Sequence, residues 1–390
     1  MYDKVSQCID TIQSVYTEKY GTLDLMVKSP GRINLIGEHT DYNLGFVLPA
    51  AINKAIYIAI GKRSDQEIHL TAGDLGESIS MNLSQLIPSD KQWPNYLLGI
   101  ADQLKKEGYP ISGFNAVISG DVPLGAGLSS SAAVECATIF ALNELFGLGI
   151  SKLRMVQLSQ KAENEFVGLK CGIMDMFASM FGKKDSVIQL DCRSLDYHYM
   201  PFKQDGFQII LLDTCVKHSL ASSAYNKRRE ECEAGVKTIQ QFHPEVNSLR
   251  DASMEMVDQY LKGGDEKIYN RCSFIVSEIK RLQDGCKDLV DGDIASFGLK
   301  MMETHVGLSK LYEVSCDELD FLALFAKKQK GVIGARMMGG GFGGCTINLV
   351  KDAQVASFMD DAAHAFKKEF HTNLKSYIVS IDQGTSLIIA

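Results

Sequence analysis

Asp121-Val-Pro-Leu-Gly-Ala-Gly-Leu-Ser-Ser-Ser-Ala-Ala-Val-Glu135 sets the frame for the rest of the chain. Its glycines let the backbone come close to a ligand, and its three serines offer hydroxyls and N–H groups. A helical pattern follows at once, with Val134, Ala137, Ala141 and Leu145 on one face. A glycine-rich turn that opens a helix points unpaired N–H groups and a positive dipole end at a bound anion. Gly125, Ala126, Gly127, Leu128, Ser129, Ser130 and Ser131 are therefore candidates for a phosphate cradle. The plainer alternative is a serine capping a helix after a turn. No Gly-Lys-Ser/Thr follows the glycines, so this is not a Walker A loop.

Working outward, Ser29–Asn43 packs Arg32, Glu38, His39 and Asp41 into ten residues beside two glycines and a proline. Arg32 presents a planar fork of donors suited to phosphoryl oxygens or a carboxylate. Glu38, His39, Thr40 and Asp41 form a polar wall suited to the hydroxyls of a polyol. Between these two motifs and the third, Glu163–Asp175 carries an acid in apolar company, since Asp175 lies among Ile173, Met174, Met176 and Phe177. An acid so placed must be paired, hydrogen-bonded or functional, and Arg32 is its candidate partner. Gly334–Cys345 sets five glycines in six residues between two apolar strands, more than a hairpin tip requires. Lys217–Tyr225 joins a strand to a helix, and Tyr225 is either a ligand cap or part of a solvated helix start.

The chain has 390 residues, enough for two domains, with 45% hydrophobic and 23% charged residues. A net charge of −8 argues against nucleic acid. No segment approaches the roughly 18 uninterrupted apolar residues of a membrane span. Polar residues interrupt the N-terminus, so no signal peptide is expected and the cytoplasm is the expected location. The ten cysteines form no Cys-x-x-Cys pair; Cys136, Cys215 and Cys345 read as small reduced core residues.

The pattern predicts an N-terminal helix, a strand over 23–28, a strand-rich region over 46–83, a helix over 93–107 and a strand over 114–119. Helices follow over 130–182, broken near Gly168 and Gly172, then strands over 187–190 and 207–213 with the domain boundary between them. The second half reads as helices over 222–242, 252–261, 267–287, 290–307 and 316–328. A strand pair (332–338 and 345–350) flanks the glycine cluster, with a helix over 353–369 and a closing strand over 376–381. This order predicts α+β domains with a cleft between them.

Gly31-Arg-x-Asn-x-Ile-Gly-Glu-His-x-Asp-Tyr42 resembles the galactokinase signature at every position. Residues 123–132 resemble the phosphate loop of the wider superfamily of galactokinase, homoserine, mevalonate and phosphomevalonate (GHMP) kinases, and 339–344 resemble its third motif. The resemblance implies two domains, 1–200 with a mixed sheet and helices and a ferredoxin-like 201–390, with the active site between them. It also implies a monomer that phosphorylates α-D-galactose at its anomeric C1 hydroxyl with ATP and Mg²⁺. Asp175 would accept the hydroxyl proton, beside Arg32. Glu38, His39, Thr40, Asp41, Gly172 and Tyr225 would contact sugar, residues 125–131 would hold the triphosphate, and Ser131 and Glu163 would hold Mg²⁺. Trp93 would lie near the adenine. Leu44 stands where glycine is frequent, and Met176 where glutamine is frequent. Two alternatives share this fold: a kinase for a derivative such as N-acetylgalactosamine, and a sugar sensor that signals without catalysis.

Overall fold

The computed structural model describes residues 4–216 and 221–388. The first half runs α1 (Lys4–Tyr20), β1 (Leu25–Asn34), β2 (Phe46–Val47), β3 (Pro49–Lys62), β4 (Glu67–Ala72), β5 (Glu77–Asn82), α2 (Gln92–Lys106) and β6 (Phe114–Gly120). It continues through α3 (Ser130–Phe146), α4 (Lys152–Ala162), α5 (Met174–Phe181), β7 (Ser186–Asp191) and β8 (Tyr197–Pro201). The second half runs β9 (Phe207–Asp213), α6 (Ala221–Gln240), α7 (Met254–Leu261), α8 (Glu266–Val290), α9 (Ile294–Lys310) and α10 (Asp317–Lys328). It ends with β10 (Val332–Met337), β11 (Cys345–Lys351), α11 (Val355–Phe370), β12 (Lys375–Val379) and β13 (Ser386–Leu387).

A six-stranded sheet in the order β13-β1-β3-β6-β4-β5 forms the first layer. It is antiparallel except for the β4/β6 pair. Ile12 and Tyr16 of α1 pack on one face against Tyr57 and Val117. The other face buries Ile58, Ile60 and Ile118 in a core shared with Leu98 of α2, Ala137 and Ala141 of α3, and Phe177 of α5. The short β2 joins β7 and β8 in a separate three-stranded sheet.

The second half builds an antiparallel sheet in the order β10-β11-β9-β12. Along the chain its elements come as strand, helices, two strands, helix, strand, which is the ferredoxin-like split βαβ arrangement. Helices α6 to α10 fill the first crossover. Several start on a side-chain cap: Asp265 accepts from the N–H groups of Lys267 and Ile268 ahead of α8, and Asp293 from that of Ser296 ahead of α9.

Four details differ from the sequence reading. The first strand extends through the charged motif to Asn34, because a bulge at Gly31 absorbs the proline and glycine. The chain does not close on the strand near 376–381: it turns back, and β13 pairs with β1 in the first sheet. β8 was not foreseen, since its exposed His198 interrupts the apolar pattern. Cys215 is exposed, not in the core. Among the described residues, no helix is long and apolar enough to cross a membrane.

Candidate active site

The β1 bulge aims the central arginine. An added Cβ on Gly31 would sit 2.7 Å from the Leu128 carbonyl oxygen, so only glycine lets β1 approach the serine loop this closely. The next residue, Arg32, donates its backbone N–H to that same oxygen at 3.1 Å. Its side chain then points at α5. Nε donates to Asp175 Oδ1 at 2.8 Å, Nη2 to Oδ2 at 3.1 Å, and Nη1 to the Gly127 carbonyl at 2.6 Å. This is a bidentate, charge-assisted pair. Asp175 lies in the first turn of α5, where the helix dipole favours a carboxylate. Burial alone would lower the Arg32 pKa, but the charges of Asp175 and Glu38 outweigh it and hold it above the usual value.

The serine loop does not end as an ordinary cap. Ser129 takes a left-handed conformation (φ 56°) at the start of α3 and makes no side-chain bond to the helix. Its hydroxyl donates instead to Asp175 Oδ2. At the end of α4, Glu163–Val167 form a π-helical turn closed by Gly168 at φ 90°. Such turns recur at functional sites because they re-aim a side chain. This one leaves Glu163 only 3% exposed yet lining the cavity. Burial, with Asp175 nearby, pushes its carboxyl up to about 7, although the Cys171 thiol donates to it at 3.2 Å.

Opposite lies the polar wall. Glu38 is buried and fully engaged: Arg336 Nη2 (3.0 Å) and the Gly339 N–H (2.8 Å) donate to Oε1, and Asn34 Nδ2 (2.9 Å) to Oε2. Burial would raise its pKa, but Arg336 and Arg32 hold it below the ordinary carboxylate range. Among the described residues Asp41 has no arginine partner, and burial followed by the Asp175 charge raises it to about 7. A Cβ on Gly172 would lie 1.8 Å from Asp41 Oδ2, so that glycine makes room for the carboxylate. Burial lowers His39 to about 4 and keeps its ring neutral at physiological pH. Its Nδ1 meets the Tyr42 hydroxyl at 2.8 Å, and Tyr42 meets Tyr312 at 2.7 Å.

These groups enclose one cavity of about 270 Å³, near the roughly 300 Å³ lower end of small-molecule sites. Arg32, Glu38, His39, Asp41, Gly172, Asp175 and Tyr225 all line it, together with Gly125, Gly127, Leu128, Ser129, Ser130, Ser131 and Glu163. Trp93 lies outside, in an adjoining apolar hollow with Tyr96, Leu124 and Ile118 that also touches Ser130 and Ser131.

Two further candidates do not reach the cavity. Thr40 is fully buried, its hydroxyl donating to the Gly37 (2.9 Å) and Phe46 (2.5 Å) carbonyls, so it braces the loop. Ala126 is also fully buried, beneath the loop. Residues 217–220 of the Lys217–Tyr225 stretch lie outside the described residues. In the helix that follows, Arg228 is buried and donates to the Tyr312 carbonyl at 2.7 Å and the Glu313 carbonyl at 2.9 Å. Of the two departures from the common pattern, Met176 is buried in the core, and Leu44 adopts φ 57°, the left-handed conformation that glycine would take without strain.

Sequence reasoning missed Tyr96 and Leu169, whose place in the cavity wall follows from packing and has no local pattern. It also gave no role to Gly339 and Gly340 beyond close approach. The structure sets them in the wall, with Gly340 against the Tyr225 ring.

The GHMP kinases N terminal domain matches residues 95–183, the galactokinase galactose-binding signature residues 14–62, and the GHMP kinases C terminal domain residues 286–368. A galactokinase of Roseiflexus sp. (strain RS-1) is 39% identical over 94% of this chain and 93% of its own. One of Thermotoga maritima is 39% identical over 93% of this chain and 100% of its own. The crystal structure of Lactococcus lactis galactokinase complexed with galactose superposes with a TM-score of 0.91 at 36% identity, covering 96% of this chain and 98% of that one. A mevalonate kinase structure, at 20% identity and a TM-score of 0.64 over 92% of this chain and 99% of its own, shares the fold.

Proposed function

The chain belongs to the galactokinase family and is an ATP-dependent sugar kinase, and from that premise we propose how its cleft divides the work. The reaction transfers the terminal phosphoryl group of ATP to the anomeric C1 hydroxyl of α-D-galactose, giving α-D-galactose 1-phosphate and ADP. This is the first committed step of galactose use by the Leloir pathway. One observation carries the assignment of residues. A carboxylate and a guanidinium, Asp175 and Arg32, are locked together in the cavity of about 270 Å³ between the serine loop and the Glu38–Asp41 wall.

Phosphoryl transfer needs positioning and charge stabilisation more than covalent chemistry. Glu38, His39, Asp41, Gly172 and Tyr225 orient the sugar, while Asp175 takes the C1 hydroxyl proton. Arg32 fixes the Asp175 carboxylate by two bonds and presents its positive charge where negative charge develops on the transferring group. Gly125 and Gly127 to Ser131 cradle the triphosphate at the start of α3. Trp93 lines the apolar hollow beside the serine loop, and we assign it to the adenine.

The donor set suits Mg²⁺. Glu163 is a buried carboxylate raised by its surroundings and adjacent to the Ser131 hydroxyl, and Mg²⁺ takes few protein oxygens. Ser131 and Glu163 would hold the ion, which when bound neutralises charge on the phosphate oxygens. Glu163→Ala is expected to raise the Mg²⁺ concentration needed for half-maximal rate. An unchanged metal dependence would remove Glu163 from this role.

The working domain division is 1–200 and 201–390, with the returning β13 as its exception. The reading extends to a cytoplasmic monomer, testable by sedimentation and cell fractionation. An ADP-coupled assay across a panel of hexoses tests the activity itself. Galactose is expected to be turned over in clear preference to N-acetylgalactosamine. ADP released only with the N-acetylated sugar would reassign the substrate, and sugar binding with no ADP release would make the protein a sensor.

A further inference from the structure

One buried acid beside the cleft has no part in the chemistry above. Glu135 lies on α3 four residues after Ser131, so both side chains leave the same face of the helix. It is 0% exposed, and neither carboxylate oxygen has a hydrogen-bond partner among the described residues. Buried polar groups are paired with few exceptions, and each exception calls for an explanation. Protonation does not supply one: a neutral carboxyl would still bury an unused O–H donor and an unused acceptor. Other charges only worsen its position. Burial, then the Glu163 and Asp175 carboxylates, push the Glu135 pKa well above the ordinary value. An uncompensated carboxyl within the field of two other acids is the arrangement a cation would relieve.

We propose that Glu135 is the outer carboxylate of the divalent-cation site, accepting a hydrogen bond from a water on the ion held by Ser131 and Glu163. This rests on the Ser131/Glu163 assignment made above. The chemistry suits the ion, since Mg²⁺ dehydrates reluctantly and keeps several waters. Groups that receive hydrogen bonds from metal-bound water orient the site and set its affinity, and losing one costs about 10- to 100-fold in metal binding. Glu135 is thus a positioning residue. It stays at the α3 turn beside Ser131, beyond the reacting atoms, and the destabilisation it imposes on the metal-free protein is offset when the ion arrives.

Titration of Mn²⁺ into the full-length protein saturated with ADP, followed by electron paramagnetic resonance, tests this without reference to turnover. Wild type is compared with Glu135→Gln, Glu135→Asp and Glu163→Gln, and thermal unfolding of each metal-free protein is recorded alongside. Glu135→Gln removes the charge at nearly constant volume. It is expected to weaken Mn²⁺ binding about 10- to 100-fold, while the metal-free protein unfolds at the same or a higher temperature than wild type. Glu135→Asp keeps the charge and is expected to keep more of the affinity. The proposal is overturned if Glu135→Gln binds Mn²⁺ within twofold of wild type while Glu163→Gln loses it; the cation site itself then stands. It is equally overturned if Glu135→Asp is as weak as Glu135→Gln, because shape and not charge would then be at issue. If Glu163→Gln also binds normally, the assignment of Ser131 and Glu163 falls first, and the role of Glu135 with it.

Discussion

At Asp175 the geometry separates holding from reacting. Both carboxylate oxygens are bonded to Arg32, and Ser129 donates to one of them. Asp175→Asn keeps the size but loses the proton acceptor, so it is expected to bind galactose by calorimetry while turnover drops about 10²- to 10⁴-fold or more. Near-normal turnover would refute the assignment. A second residue ties the site to pH. Asp41 titrates at about 7 in the folded chain against an ordinary 3.8, because burial and the Asp175 charge oppose its ionisation. A folded pKa above the unfolded one means the native state holds the proton more tightly. The stability this contributes is full below about pH 4 and is lost as pH rises through 7. His39, depressed to about 4, has the opposite slope, contributing above its unfolded value and losing that as pH falls. The informative curve is therefore the difference between wild type and Asp41→Asn in sugar-free thermal unfolding from pH 4 to 8. Wild type is expected to lose stability relative to the variant across that range, and a flat difference would show that Asp41 is not held protonated.

At the scale of elements, what could be read in advance was what local chemistry declares. Glycines and clustered charges marked all three loops, since left-handed turns and buried ionic groups demand those residue types. Ser129, read as a possible helix cap, shows the limit of that logic. Its place before α3 follows from sequence, but the bond its hydroxyl makes depends on Asp175, which only the folded chain brings near. Thr40 failed for the same reason: it sits inside the sugar signature, yet its hydroxyl faces carbonyls of its own loop. β1 was cut short because Pro30 and Gly31 look like a strand end, whereas a bulge carries them and turns Arg32 inward. The third glycine loop permits a quantitative test. Gly341 lies at φ +84°, and an added Cβ would come 2.1 Å from the Val314 carbonyl oxygen. Gly147, closing α3 at φ +63°, would meet nothing within 4 Å. Gly147→Ala is expected to cost about 1–2 kcal/mol of unfolding free energy, the left-handed penalty alone. Gly341→Ala adds a backbone collision, so it should cost more and also raise the KM for galactose through Gly340 and Tyr225. Equal losses at the two positions would mean that the loop yields at no cost.

For the whole molecule, the question is what joins the two halves around the cleft. The tail gives one answer: β13 pairs with β1, Lys28 meets Asp382 at 2.6 Å, and the Thr385 hydroxyl donates to the Ser179 carbonyl at 2.9 Å. Arg336 gives the other. It stands on β10 with no solvent exposure, and its guanidinium crosses to the Asn34 and Leu35 carbonyls and to Glu38. In the sequence it is one residue of the glycine-rich run 334–345, because nothing local tells a buried strut from a strand-end charge. Replacing a whole buried ion pair by apolar groups is often neutral, but removing one partner strands the other. Arg336→Met is the second case: Glu38 keeps its Gly339 and Asn34 donors yet loses its bonded counter-charge, and the Asn34, Leu35 and Met337 carbonyls lose a donor. The expected cost is about 3–5 kcal/mol, read from the urea midpoint. Because Glu38 also faces the sugar cavity, galactose affinity should fall in the same variant, while the double variant Arg336→Met with Glu38→Gln should recover much of the stability and none of the affinity. Full stability in Arg336→Met alone would mean that the halves are held by the tail and by apolar packing, with the arginine a bystander.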